Sequence, residues 1–144
     1  MSDNDRTEAS FTMALPSNDP SVVGGTNTNF TIQLQQSLDL NGVWQLTLLE
    51  MIYQPSVTNQ TLYVYTDIIK PQIVGSESVQ LVKTIPGVAT TASQLIYRQP
   101  DPQEWRTINL NSLQQIEISV RDGTGAFASL TGNTVITFQL RRIK

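Results

Sequence analysis

Apolar and polar residues alternate along much of this chain. Ile116, Ile118 and Val120 are separated by Glu117, Ser119 and Arg121, and Ile136, Phe138 and Leu140 by Thr137, Gln139 and Arg141. A period of two sends one set to a dry face and the other to a wet face, which is a half-buried strand. The pattern recurs in residues 10–15 (Phe11, Met13, Leu15) and 30–35 (Phe30, Ile32, Leu34). It returns in residues 62–66, with Leu62, Val64 and Thr66 inward and Tyr63 and Tyr65 on the other side. Val79, Leu81 and Lys83 against Gln80, Val82 and Thr84 predict another strand, and residues 94–98 a further short one. In residues 43–53, Trp44, Leu46 and Leu48 share a face before the phase slips to Leu49, Met51 and Tyr53. That slip predicts a bulge or a strand covered on both faces, with Trp44 as a core side chain.

Between these segments stand turn signals: Asn41-Gly42, Pro86-Gly87, Asp122-Gly123 and Thr131-Gly132-Asn133. Residues 16–29 read as a long turn-rich loop and residues 67–77 as a connection. Residues 101–104, Asp-Pro-Gln-Glu, carry a helix-start signature, with room for at most one turn before Trp105, Thr107, Ile108 and Leu110 resume an extended pattern. The glycines of residues 122–125 invite comparison with a phosphate-gripping loop. Such a loop needs a following helix to present its N-terminus, and residues 126–130 run into another turn. The segment is therefore a connection between strands. About eight or nine strands with frequent turns and no convincing helix predict an all-β, antiparallel sandwich or barrel.

Composition narrows the function. At 144 residues the chain is long enough for one domain with a proper core. Residues 1–9 read as a flexible N-terminal arm and 10–144 as the domain. With no Cys and no His, disulfides, thiol chemistry and Ser-His or Cys-His nucleophile pairs fall away, as does the commonest transition-metal ligand. No cofactor is expected. Only carboxylate chemistry is left for an enzyme, and Glu50, Asp67, Glu77, Glu117 and Asp122 lie on separate segments. Glu50, in the most apolar strand, is expected at the bulge or paired with Arg98 or Arg106. No segment is apolar enough to span a bilayer as a helix, and no basic run exceeds Arg141-Arg142, so a nucleic-acid partner is not expected. Charged residues make up 15% of the chain, below the usual quarter, with Gln, Asn, Ser and Thr in their place. That suits faces covered by a partner, because interfaces are depleted in Lys, Glu and Asp.

Four segments, FTMALPSN, NFTIQLQQSLDLNGVWQLTLLEMIY, LYVYTDIIKPQIVGSESVQLVKTIP and IEISVRDGTGAFASLTGNTVITFQLRR, occur in this order. Together they resemble the penton (minor capsid) proteins of Polinton/Maverick-type elements and related double-stranded DNA viruses. Gln45 stands where that family often has an acid, and residues 88–100 carry none of its motifs. The resemblance implies a single jelly-roll of two four-stranded sheets, a homopentamer at each five-fold capsid vertex, and a double-jelly-roll major capsid protein as partner. A spike or an internal virion protein is a further partner it allows. On this reading Tyr63, Tyr65, Ile68 and Ile69 are candidate subunit contacts, or else core, and Asp3, Asp5, Arg6 and Glu8 form a candidate capsid-contact arm. The alternative is a carbohydrate- or receptor-binding β-sandwich, a viral attachment head or lectin-like module. Its candidate glycan site is Trp105 with Asp101, Glu104 and Asn109.

Overall fold

The computed structural model describes residues 7–91 and 94–143, and among them it contains twelve strands and no helix. They are β1 (Thr7–Pro16), β2 (Val22–Gly25), β3 (Asn29–Asp39), β4 (Val43–Pro55), β5 (Leu62–Thr66) and β6 (Gln72–Val74). The rest are β7 (Glu77–Val79), β8 (Leu81–Ile85), β9 (Ile96–Arg98), β10 (Arg106–Thr107), β11 (Ser112–Arg121) and β12 (Leu130–Ile143). One sheet runs β1-β12-β4, with β9 and β10 both on the far side of β4; the other runs β2-β3-β11-β5-β8. All pairs are antiparallel.

The pairing order defines the architecture. Two nested pairs hold the chain ends, β1 with β12 and β3 with β11; inside them lie β4 with β9 and β10, and β5 with β8. A long hairpin rolled on itself produces this order, and it is the jelly-roll. The sheets hold five strands each rather than four. The additions are β2, found inside the loop expected at residues 16–29, and the division of one edge position between β9 and β10. A separate hairpin, β6–β7, fills the expected connection at residues 67–77, turning at Gly75.

Alternation builds the core as the sequence implies. Ile116, Ile118, Val120, Ile136, Phe138 and Leu140 are all fully buried between the sheets. The phase slip in β4 is a bulge: Leu48 pairs with Phe138 and Glu50 with Thr137, so Leu49 is left over. The inward set passes from Leu46 and Leu48 to Met51 and Tyr53. Thr47 points to the other face and is buried as well. Trp44 is 9% exposed, meets Phe11 edge to face with 5.6 Å between ring centroids, and donates from Nε1 to the Asn41 carbonyl at 3.0 Å.

Three local expectations need correction. Thr7 and Ala9 already pair with β12, so the strand claims the end of the proposed arm. Residues 101–104 form a bend with a cis Asp101-Pro102 peptide instead of a helical turn. The strand expected across residues 79–84 breaks at Gln80, because its side-chain amide donates to the carbonyls of Asp67 and Ile69 (3.0 and 2.9 Å). The chain there leaves β6 as partner and joins β5, and Val82 rather than Lys83 turns into the core.

Candidate functional site

The residues 122–125 close on themselves. Gly125 donates its N–H to the Asp122 carbonyl and takes a positive φ of 88°. Asp122 Oδ1 accepts from the Thr124 hydroxyl and N–H and from the Ala126 N–H, at 2.7–3.2 Å. Those bonds, the Thr124 hydroxyl foremost, hold its carboxyl below the usual range. These bonds tie the loop to itself, and it connects β11 to β12.

The proposed subunit contacts divide. Tyr63 and Tyr65 are half-buried on the outward face of β5. Ile68 and Ile69 are fully buried, so for these two the core alternative holds in the chain as described. Past the end of β5 the period of two no longer holds, and both side chains cap the core while Ile69 bridges to Ile108. Of the proposed arm, Asp3, Asp5 and Arg6 lie outside the described residues, and Glu8 falls within β1.

The proposed glycan set is not gathered. One face of Trp105 is stacked by the Arg141 guanidinium, 3.7 Å from the ring centroid. Arg141 is fixed there by two bonds to Gln45 Oε1, at 3.0 and 2.8 Å. Glu104 turns instead to Lys83 Nζ at 2.8 Å and Arg106 Nη2 at 3.8 Å. Asn109 is tied through its N–H to the Ile68 carbonyl. Glu50 pairs with neither Arg98 nor Arg106 but accepts from the Tyr97 hydroxyl at 2.9 Å, a bond that raises the Tyr97 pKa.

The Lys83 hydrogen bond, helped by the charges of Lys83 and Arg106 and opposed by burial, lowers the Glu104 pKa. A depressed carboxyl pKa contributes stability at neutral pH that is lost as the pH falls below the unfolded value of about 4.3 and through the folded one. Glu104→Gln should therefore cost below about 1 kcal/mol at pH 7, because the Glu104 side chain is about half exposed. The gap between wild type and variant should close on acidification, as thermal melts at pH 7 and pH 3 will show.

The two flanks of the sandwich differ. At one, β8 faces β9 and β10 and is stitched across. Arg106 Nε donates to the Val82 carbonyl (3.2 Å), Arg98 Nη1 to Pro86 (2.8 Å) and Lys83 Nζ to Pro102 (3.1 Å). At the other flank β1 faces β3, and two clefts of about 340 and 450 Å³ open between and beside them. Met13, Leu15, Ile32 and Leu34 line the first, and Asp19 and Gln35 border both. Bonds from the Ser21 hydroxyl and N–H keep the Asp19 carboxyl below its usual range. Among the described residues, β2 covers β3 only at residues 30–33, and no strand pairs with residues 34–38 on that side. This flank offers unpaired backbone groups and apolar side chains, the chemistry of association. Sequence reasoning missed it. Its signal was the lack of any charge in residues 10–15 and 34–38. Elsewhere, a groove of about 400 Å³ on the outer face of β5 and β11 carries Asp67, Glu77, Glu117 and Arg121. The described residues contain no group of three or more acids able to hold a metal ion.

No protein-family model and no curated protein matches the chain. Among solved structures it is similar to VP2 of infectious bursal disease virus, with 14% identity over 95% of this chain and 34% of that one, TM-score 0.34. The chain thus spans about a third of the VP2 chain. It is also similar to the Drosophila NLP core, described for pentamer formation and histone binding, with 12% identity over 94% and 98% of the two chains, TM-score 0.37. The carbohydrate-binding module CBM6cm-2 of Cellvibrio mixtus lichenase 5A, solved with cellotriose, has 12% identity over 98% and 94%, TM-score 0.37. At these scores none of them bears on function, and the jelly-roll rests on the strand order itself.

Proposed function

We propose that the chain is a structural capsid protein: a penton protein that closes into a homopentamer at the five-fold vertex of an icosahedral virion, beside a double-jelly-roll major capsid protein. Assembly takes place inside the host cell. The observation that carries this reading is a jelly-roll stitched along one flank and open along the other. A ring of identical subunits needs two different, complementary surfaces on each copy, since its contacts are head to tail. The low charge of the chain and its resemblance to penton proteins support the same reading, and nothing in it calls for catalysis. The lectin-like alternative gains less support, because Arg141 stacks on one face of the Trp105 ring and Glu104 pairs with Lys83.

The purified full-length chain should scatter light as a single species of five times the 16.0 kDa chain mass. Negative-stain images should show five-fold rings. A chain that stays monomeric at high concentration speaks against assembly without other capsid components. A dimer or an open filament speaks against the vertex.

A further inference from the structure

We propose that copies join flank to flank, the open β1/β3 flank of one receiving the β8–β9–β10 flank of the next. The inference rests on the self-assembly reading and names the surfaces that carry it.

The open flank is where the core reaches the surface. Leu15 and Ile32 belong to the buried core, while Met13 and Leu34 beside them are only partly covered. An edge strand presents a row of unpaired N–H and C=O groups, and proteins blunt such edges with Lys, Pro or a bulge. β1 has a bulge only near Thr7 and a proline only at its end, Pro16; residues 10–15 and 34–38 are uncharged. The edge is left ready for pairing.

Charge selects the occupant. No Lys or Arg occurs between Thr7 and Ile69; Asp19 borders both clefts, Asp39 follows residues 34–38 at the end of β3, and Glu8 lies in β1. Lys83, Arg98 and Arg106 stand on the stitched flank with Asp101 and Glu104. A two-fold contact between open flanks would set acid against acid. A head-to-tail contact sets the acidic flank of one copy against the cations of the next. The stitched flank also carries the apolar groups to fill the clefts: Leu95 is 63% exposed and Tyr97 55%.

The chain contains no cysteine, so introduced thiols report cleanly. Gln35→Cys labels the open flank and Leu95→Cys the stitched one. A flexible bismaleimide is the probe, because a direct disulfide needs Cα atoms within about 7 Å. The two variants mixed should crosslink about a hundredfold faster than either alone, since contact raises the local thiol concentration. The double variant should give a ladder that stops at the ring. Crosslinking of Gln35→Cys with itself would overturn the head-to-tail arrangement. Rings seen by light scattering without a mixed crosslink would overturn the flank assignment and leave the pentamer standing. A wild-type chain that stays monomeric at high concentration overturns the proposal that these flanks join copies of the chain on their own.

Discussion

Phe138→Ala should remove about 3–5 kcal/mol of folding stability and lower the Tm by on the order of 10 °C. Phe138 is 0% exposed and lies in β12, the strand held between β1 and β4. Met13 pairs with it on one side and Leu48 on the other. Backbone ladders run on both sides of this position, so the sheet cannot collapse into the space an alanine leaves. The lost transfer energy and the cavity therefore add. Total stability of a domain is about 5–15 kcal/mol, so the loss is a large share of it. Phe127, eleven residues earlier by its number, supplies the control: it is 45% exposed in the β11–β12 connection, under the Arg121 guanidinium at 4.4 Å. Phe127→Ala should cost below about 1 kcal/mol. Urea unfolding of both variants checks the pair, and similar losses for the two would refute the inward phase assigned to β12.

Phe138 also shows what the sequence makes legible. Where a strand is long and one face is dry, side-chain period alone tells inside from outside, as it does for Ile116, Ile118 and Val120. The bulge in β4 was legible for the same reason, because an apolar set that changes phase must lose or gain a residue. For Ile68 and Ile69 the sequence left core and contact both open, since they follow the end of β5, where the chain turns across the mouth of the sandwich and neighbours in sequence bury together. The break at Gln80 was hidden because a side-chain amide bonding two distant carbonyls leaves no periodic trace. The open flank was hidden for a deeper reason. Whether a strand is an edge depends on the order of strands, and that order comes from pairing across the whole chain. Only after β1 and β3 stand at the same side of the sandwich does their lack of charge acquire meaning. The proposed glycan set shows the same limit: Trp105, Asp101, Glu104 and Asn109 are close in sequence, yet Arg141 and Lys83 arrive from distant strands to stack on Trp105 and pair with Glu104.

Gly25→Ala should cost about 2–5 kcal/mol, whereas Gly24→Ala next to it should change stability by no more than about 0.5–1 kcal/mol. Gly25 ends β2 with φ at 119°, a conformation that residues with a Cβ rarely adopt. A Cβ there would lie 1.9 Å from the Asn29 carbonyl oxygen and 2.6 Å from the Phe30 Cα, both backbone atoms that cannot swing aside. The same carbonyl accepts the Thr26 N–H at 2.7 Å, so relief of the clash breaks the turn into β3. At Gly24 nothing lies within 4 Å of the added carbon. The effect should reach the flank, because β2 is the strand that covers β3 at residues 30–33, and Ser21 and Val23 border one of the clefts. If that flank is the subunit contact, Gly25→Ala should weaken ring formation at temperatures where the isolated chain is still folded. Gly24→Ala should leave rings intact. Thermal melts and light scattering on both variants read the two effects separately, and equal behaviour of the two glycines would remove the backbone argument on which this prediction stands.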